Sequence, residues 1–133
     1  MKKTEPLWIL GRVALAAHDR LLAAYGGAEG LRDPGGLESA LARPLQHFAY
    51  SSPDLLELAA LYTGGIVRNH PFVDGNKRTG FAIGIAFLEL NGVVFQATEE
   101  EATRIVLALA AGDLDETGYA QWLRANTKRT RTR

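Results

Sequence analysis

The sequence predicts an all-α bundle built around one buried helix. Apolar residues recur at helical spacing along most of the chain, cap and stop signals bracket those stretches, and Lys77 to Leu90 is apolar almost all round. At 133 residues, with 47% hydrophobic and 23% charged, the composition suits a single soluble core. No repeat, low-complexity tract or linker divides the chain, so residues 1–126 read as one domain. Residues 127–133, running Lys128-Arg129-Thr130-Arg131-Thr132-Arg133 at their end, read as a basic C-terminal tail expected to fray.

The first helix is predicted from Arg12 to Tyr25, where Val13, Ala16, Ala17, Leu21 and Ala24 share a face and Gly26-Gly27 stops it. Gly30 to Gly36, with Asp33-Pro34 and three glycines, reads as a loop. Leu37 to Ala42 is then a short helix ending before Pro44, and Pro44 to Ser51 an irregular stretch or small hairpin. Ser52-Pro53-Asp54 offers an N-cap hydroxyl, a proline for the first helical position and a carboxylate for the dipole, so a helix should follow from Pro53 to about Val67. Asn69 to Asn76 is a loop, and the central helix runs from Lys77 to Leu90, where Asn91-Gly92 ends it. Thr98 and Glu101 form a capping box for a helix to about Ala111, and Thr117 to Asn126 gives a last one around Trp122.

Charge and residue counts exclude several functions. Fifteen basic residues balance fifteen acidic ones, leaving no whole-domain positive field for a phosphate backbone, so nucleic acid is not expected as the main partner. The absence of cysteine removes disulfides, thiolate catalysis and cysteine-based zinc sites, and three scattered histidines make a poor metal cluster. Lys2 and Lys3 precede an apolar stretch, but Pro6 and Arg12 leave only Leu7 to Leu10 uninterrupted, short of a signal-peptide core. The expectation is a cytoplasmic protein with no membrane association.

The chemistry concentrates in Arg68-Asn69-His70-Pro71-Phe72-Val73-Asp74-Gly75-Asn76-Lys77-Arg78. This loop feeds the N-terminus of the central helix, where unpaired N–H groups and the dipole favour an anion. Gly75 lets backbone approach a ligand closely, Lys77 supplies a point charge, and Arg78 can clamp phosphate oxygens with its planar fork. Asp74 suits the magnesium that accompanies a nucleotide, though capping the helix would also explain it. His70 is the candidate base, since imidazole titrates near neutrality and can accept a hydroxyl proton.

The run His70-Pro-Phe-Val-Asp-Gly-Asn-Lys-Arg78 resembles the H-P-F-x-D-G-N-[GK]-R signature of the Fic superfamily. Lys77 stands where adenylylating Fic proteins carry a second glycine, which makes the chain similar to the Doc branch. Tyr25-Gly26-Gly27, Gly30-Leu31-Arg32-Asp33, Leu37 to Leu41, Leu88 to Gly92 and Trp122-Leu123 extend the resemblance over roughly residues 7 to 126.

That resemblance implies a Fic/Doc helical bundle whose signature loop binds the phosphates of ATP. By it, His70 is the general base, Asp74 the magnesium ligand, Phe72 the support beneath the loop, and Gly75, Asn76, Lys77 and Arg78 the phosphate-binding part. Arg68 matches a Doc arginine that contacts phosphate, with a solvated helix end as the other reading. Pro44 to Ser51 would be the flap that aligns a target segment, with Gln46, Phe48 and Tyr50 on one side and His47 on the other. His18 is read as structural. The inhibitory helix of some Fic proteins, Ser or Thr followed four residues later by Glu and then Gly or Asn, is missing from the sequence. Resemblance to Doc therefore implies inhibition in trans by a Phd-like antitoxin. It also implies transfer of the γ-phosphoryl group of ATP to a serine or threonine of a target protein, with elongation factor Tu the implied target and arrested translation the result. The alternatives are an adenylyltransferase on the same fold, opposed by Lys77 and by Phe81 in place of a second arginine, a silent binding module, and a nucleic-acid binder resting on the tail alone.

Overall fold

The computed structural model describes residues 4–130. Six helices and one small two-stranded sheet follow in the order α1 Gly11–Tyr25, α2 Pro34–Ser51, α3 Leu55–Asn69, α4 Asn76–Leu90, β1 Val93–Phe95, α5 Glu99–Ala111, α6 Glu116–Ala125 and β2 Thr127–Arg129. The architecture is the expected all-α bundle, and no helix among the described residues is long and apolar enough to cross a membrane.

The centre of the bundle is α3 rather than α4. Every residue from Leu58 to Ile66 is buried, whereas α4 leaves Ala86 and Leu90 exposed. The all-round spread of apolar residues pointed to α4, but burial is decided by how closely a helix is packed on every side, and α3 packs more extensively, against α2, α4, α5 and α6. Small residues allow this crowding. A Cβ at Gly65 would sit 3.2 Å from the Ala40 Cβ of α2, and one at Gly80 would sit 3.2 Å from the Thr63 carbonyl oxygen. One at Gly84 would meet the Thr63 hydroxyl and lie 3.2 Å from the Ala59 carbonyl oxygen. Thr63 Oγ1 donates to the Gly80 carbonyl at 2.8 Å across the same seam, so its hydroxyl is satisfied without water.

The expected break at Pro44 does not occur. Helix α2 runs through it to Ser51, so the hairpin or flap assigned to Pro44–Ser51 is helical, and Gln46, Phe48 and Tyr50 do not share an extended edge. Packing overrides propensity here: Leu37, Ala40 and Pro44 form one buried stripe, and Phe48 continues it with its ring edge-on to Trp8 at 5.6 Å. Tyr50 points away and is 83% exposed. The helix starts early because Asp33 accepts the Gly36 N–H at 2.9 Å and Pro34 fills the first turn.

Other boundaries move for similar reasons. Asp54, not Ser52, caps α3, in a reciprocal box where it accepts from Glu57 N at 2.9 Å and its own N–H donates to Glu57 Oε1 at 2.8 Å. Ser52 instead closes α2 in the left-handed region. Only half of the box predicted at α5 forms: Thr98 accepts from Glu101 N at 3.1 Å, while the Glu101 carboxylate accepts from Trp122 Nε1 at 3.4 Å. The start of the basic tail is not frayed. Thr127–Arg129 pairs antiparallel with Val93–Phe95, and Thr130 N donates to the Gly92 carbonyl at 2.8 Å. Residues 131–133, like Lys2 and Lys3, lie outside the described residues. The apolar stretch after them docks on the core, where Ile9 N donates to the buried Tyr62 hydroxyl at 3.0 Å.

Gly84→Val should therefore destabilise the fold by about 1–3 kcal/mol through overpacking of the α3–α4 seam. Urea unfolding followed by circular dichroism checks this, and a midpoint equal to wild type would show that the seam can open at little cost.

Candidate functional site

Helix α3 ends at His70, which occupies the left-handed region (φ 51°) and still donates its N–H to the Ile66 carbonyl at 3.0 Å. A helix cannot continue into Pro71 without losing a donor, and the positive φ turns the chain outward with the imidazole exposed. Such a conformation is costly for a residue with a Cβ and persists only where surroundings impose it.

The surroundings that impose it lie beneath the loop. Phe72 is fully buried, and its ring stacks on that of His18 in α1 with centroids 3.8 Å apart and planes 9° from parallel. His18 Nε2 donates to the Asp74 carbonyl at 2.8 Å. The buried Asn76 amide closes the turn, its Oδ1 accepting from Phe72 N and its Nδ2 donating to Phe72 O, both at 2.9 Å. Both ends of Asn76 are thus spent inside the loop. The side chain of Asn76, a residue expected in the phosphate-binding part, braces the loop because the buried Phe72 main chain needs partners, while the Asn76 backbone lies at the start of α4.

Above the loop, the Gly26–Asp33 connector lies alongside it as an extended strap. Leu31 bridges Phe72, Arg32 N and Asp33 N donate to the Pro71 carbonyl at 2.7 and 2.9 Å, and Val73 N donates to the Gly30 carbonyl at 3.0 Å. Asp74 joins the two segments. Its Oδ2 accepts from Ala28 N at 3.1 Å and its Oδ1 from Gly75 N at 2.9 Å, and these bonds hold its carboxyl below the usual range, so it is ionised at neutral pH. The carboxylate remains exposed and keeps lone pairs for a cation. Gly27 makes the fit possible: it has φ 123°, and a Cβ there would lie 2.9 Å from Asp74 Oδ2.

Gly75, at φ 79°, turns the loop into α4, whose helical bonding starts with Thr79 N donating to the Gly75 carbonyl at 2.9 Å. Asn76, Lys77 and Arg78 thus present N–H groups with no helical acceptor, and the Lys77 and Arg78 side chains are exposed beside them. His70 and Lys77 open onto one shallow cleft of about 330 Å³ that Val67, Leu107, Ala110 and Ala111 also line. The Arg78 guanidinium lies over the Tyr25 ring, 4.3 Å from its centroid.

Arg68 is elsewhere engaged. It contacts Glu116 Oε2 at 3.1 Å, and the same carboxylate takes a two-pronged contact from Arg43 at 2.6 and 2.8 Å. The group beside His70 is instead Arg32, whose Nη2 donates to the His70 carbonyl and lies 3.4 Å from the ring Nδ1. Nothing in the composition marks Arg32 for this place, because only the strap brings it there. Phe81 packs edge-on to Phe95 at 5.5 Å, within an aromatic group that includes Trp122.

Residues 9–88 match the sequence profile described as the Fic/DOC family. The chain belongs to the Fic/Doc family. It is 36% identical over 112 residues to the protein kinase doc of Escherichia phage P1, an alignment covering 83% of this chain and 87% of that one. It is also 44% identical over 77 residues to the toxin Doc of Mycolicibacterium smegmatis, covering 56% of this chain and 58% of that one. The matched span takes in α1 through most of α4, and so contains the strap, the loop and the helix start that form the candidate site.

Gly27→Ala should push the strap off Asp74, because the new methyl meets a carboxylate oxygen and the backbone is one that only glycine adopts readily. Faster amide exchange at Ala28 and Arg32, with the helical core still protected, is the expected result. Unchanged exchange there would show that the strap tolerates the methyl.

Proposed function

We propose that this chain is a Doc-type toxin that transfers the γ-phosphoryl group of ATP to a serine or threonine hydroxyl of another protein. The observation that carries the reading is that an exposed imidazole, His70, and a phosphate-seeking cation, Lys77, open onto the same cleft at the start of α4. Kinship with proteins named protein kinase doc and toxin Doc supports it.

In the reaction, His70 takes the proton as the target oxygen attacks the γ-phosphorus. The bond from that phosphorus to the β-phosphate oxygen breaks, and its electron pair leaves with ADP. Lys77, Arg78 and the N–H groups of Asn76, Lys77 and Arg78 hold the phosphate chain, so the work is positioning and charge neutralisation. Arg68, half-exposed and paired with Glu116 through one nitrogen, keeps further donors for the phosphates. Asp74 fits magnesium: it is exposed, ionised and oxygen-bearing. The described residues place no group of three His, Asp or Glu together, so the other ligands would be phosphate oxygens and water, as magnesium at nucleotide sites prefers. When bound, the ion supplies neutralisation of the phosphate charge.

Lys77 and the core-packed Phe81 favour the γ-phosphorus over the α-phosphorus, since the residue that would clamp the far end of the chain as an arginine here packs against Phe95. A Phd-like antitoxin acting in trans is the proposed inhibitor, and elongation factor Tu, in the cytoplasm, the proposed target.

Incubation of the protein with a bacterial extract should move label from γ-labelled ATP, and none from α-labelled ATP, onto serine or threonine. Transfer of the α label would establish adenylylation instead. His70→Ala should lower the rate 10²–10⁴-fold, the usual cost of a lost general base. It should also abolish the growth arrest that the wild-type chain causes when expressed alone. Asp74→Asn should raise the magnesium concentration needed for transfer, and an unchanged titration would reduce Asp74 to a cap.

A further inference from the structure

Among the described residues, the His70 ring has one hydrogen-bond partner, Arg32. The Arg32 guanidinium also donates to the His70 carbonyl, so one side chain grips one residue at two points. A guanidinium is permanently charged and carries donors but no acceptor. The nitrogen facing it, Nδ1, must therefore present a lone pair, which in neutral imidazole puts the proton on Nε2. The one ring nitrogen able to take a proton from a hydroxyl thus lies beneath the guanidinium.

The backbone of Arg32 cannot easily withdraw, because its own N–H and that of Asp33 are both bonded to the Pro71 carbonyl and Gly30 is bonded to Val73. Only the side chain is free to swing. It also lacks a counter-ion: the ion pairs among the described residues belong to Arg43, Arg68 and Arg124, and the neighbouring Asp33 carboxylate is committed to capping α2. An arginine held only by a ring nitrogen and a carbonyl gains more from a phosphate oxygen, where the partner is an anion.

We propose that Arg32 caps the base nitrogen of His70 in the nucleotide-free protein and moves to the phosphate chain of bound nucleotide, exposing Nδ1 only when a phosphoryl donor is present. This rests on His70 being the base. It makes Arg32 a phosphate ligand as well as a guard, and ties proton abstraction to occupancy of the donor site.

The test is the ¹⁵N spectrum of the His70 ring in the full chain. Wild type without nucleotide should show the Nε2–H tautomer, and Arg32→Ala should lose that bias. Magnesium with a non-hydrolysable ATP analogue should move the wild-type spectrum toward that of Arg32→Ala and leave the variant nearly unchanged, and KM for ATP should rise several-fold in the variant with circular dichroism unaltered. An Nδ1–H tautomer in nucleotide-free wild type, or identical spectra for wild type and Arg32→Ala, overturns the cap. If calorimetry shows the analogue binding to wild type while the His70 spectrum stays still, the exchange is overturned. If calorimetry shows no nucleotide binding at all, the phosphotransfer reading falls with the exchange, while the tautomer comparison still decides the resting contact.

Discussion

Burial of Phe72 is the constraint on which the site depends. The loop from His70 to Gly75 leaves His70, Val73 and Asp74 exposed, and ordering each residue costs roughly 1–2 kcal/mol of backbone entropy. Phe72 offsets part of that cost by bringing one large apolar side chain into the core, face to face with the His18 ring. Once Phe72 is fixed, its main chain must find partners away from water, and the Asn76 amide supplies both. His18 takes the Asp74 carbonyl in the same movement. The exposed carboxylate and imidazole are thus aimed by groups that never reach the surface.

The strap adds a second layer whose forces are of another kind. It brings no large side chain into the core and is held by main-chain bonds to the loop and by the Asp74 carboxylate. Such an attachment is weaker than burial and easier to disturb. Because the strap joins α1 to α2, it ties the positions of Asp74 and His70 to the helix that carries His18. Loop and strap therefore constrain each other from opposite sides.

The signature loop and the helix it opens were legible because their signals are local: a proline that ends one helix, a glycine with positive φ and polar residues at the next N-terminus. The path of α2 was misread for the opposite reason. Pro44 carries a strong local signal against a helix, and only the buried stripe of Leu37, Ala40 and Pro44 against α3 reverses it. The start of α2 could have been found, since Asp33-Pro34 is the same cap-and-proline pattern credited at Ser52-Pro53. The centrality of α3 was hidden by Thr63, Gly64 and Gly65, which look like poor core residues until close helix approach makes smallness the requirement. Arg32 beside His70 was beyond any local pattern, as the two lie 38 positions apart and meet only through the strap.

Net charge concealed as much as it excluded. Equal numbers of acidic and basic residues argue against a long polyanion as partner, but the balance is not uniform in space. Carboxylates are spent where cations do structural work: Glu116 joins Arg43 and Arg68 across α2, α3 and α6, and Asp54 pairs with Arg124. Among the described residues, Arg32, Lys77 and Arg78 form no ion pair and lie beside the open N–H groups of α4. Asp74 is the only carboxylate in that loop, and two backbone N–H groups already draw on it. Arg32, Lys77 and Arg78 beside the open N–H groups of α4, with the ionised Asp74 facing them, suit a compact, highly charged anion that brings its own metal. Such a cluster of cations is compatible with a neutral chain because an NTP-sized ligand reads only the charges within a Debye length, about 8–10 Å, of where it sits.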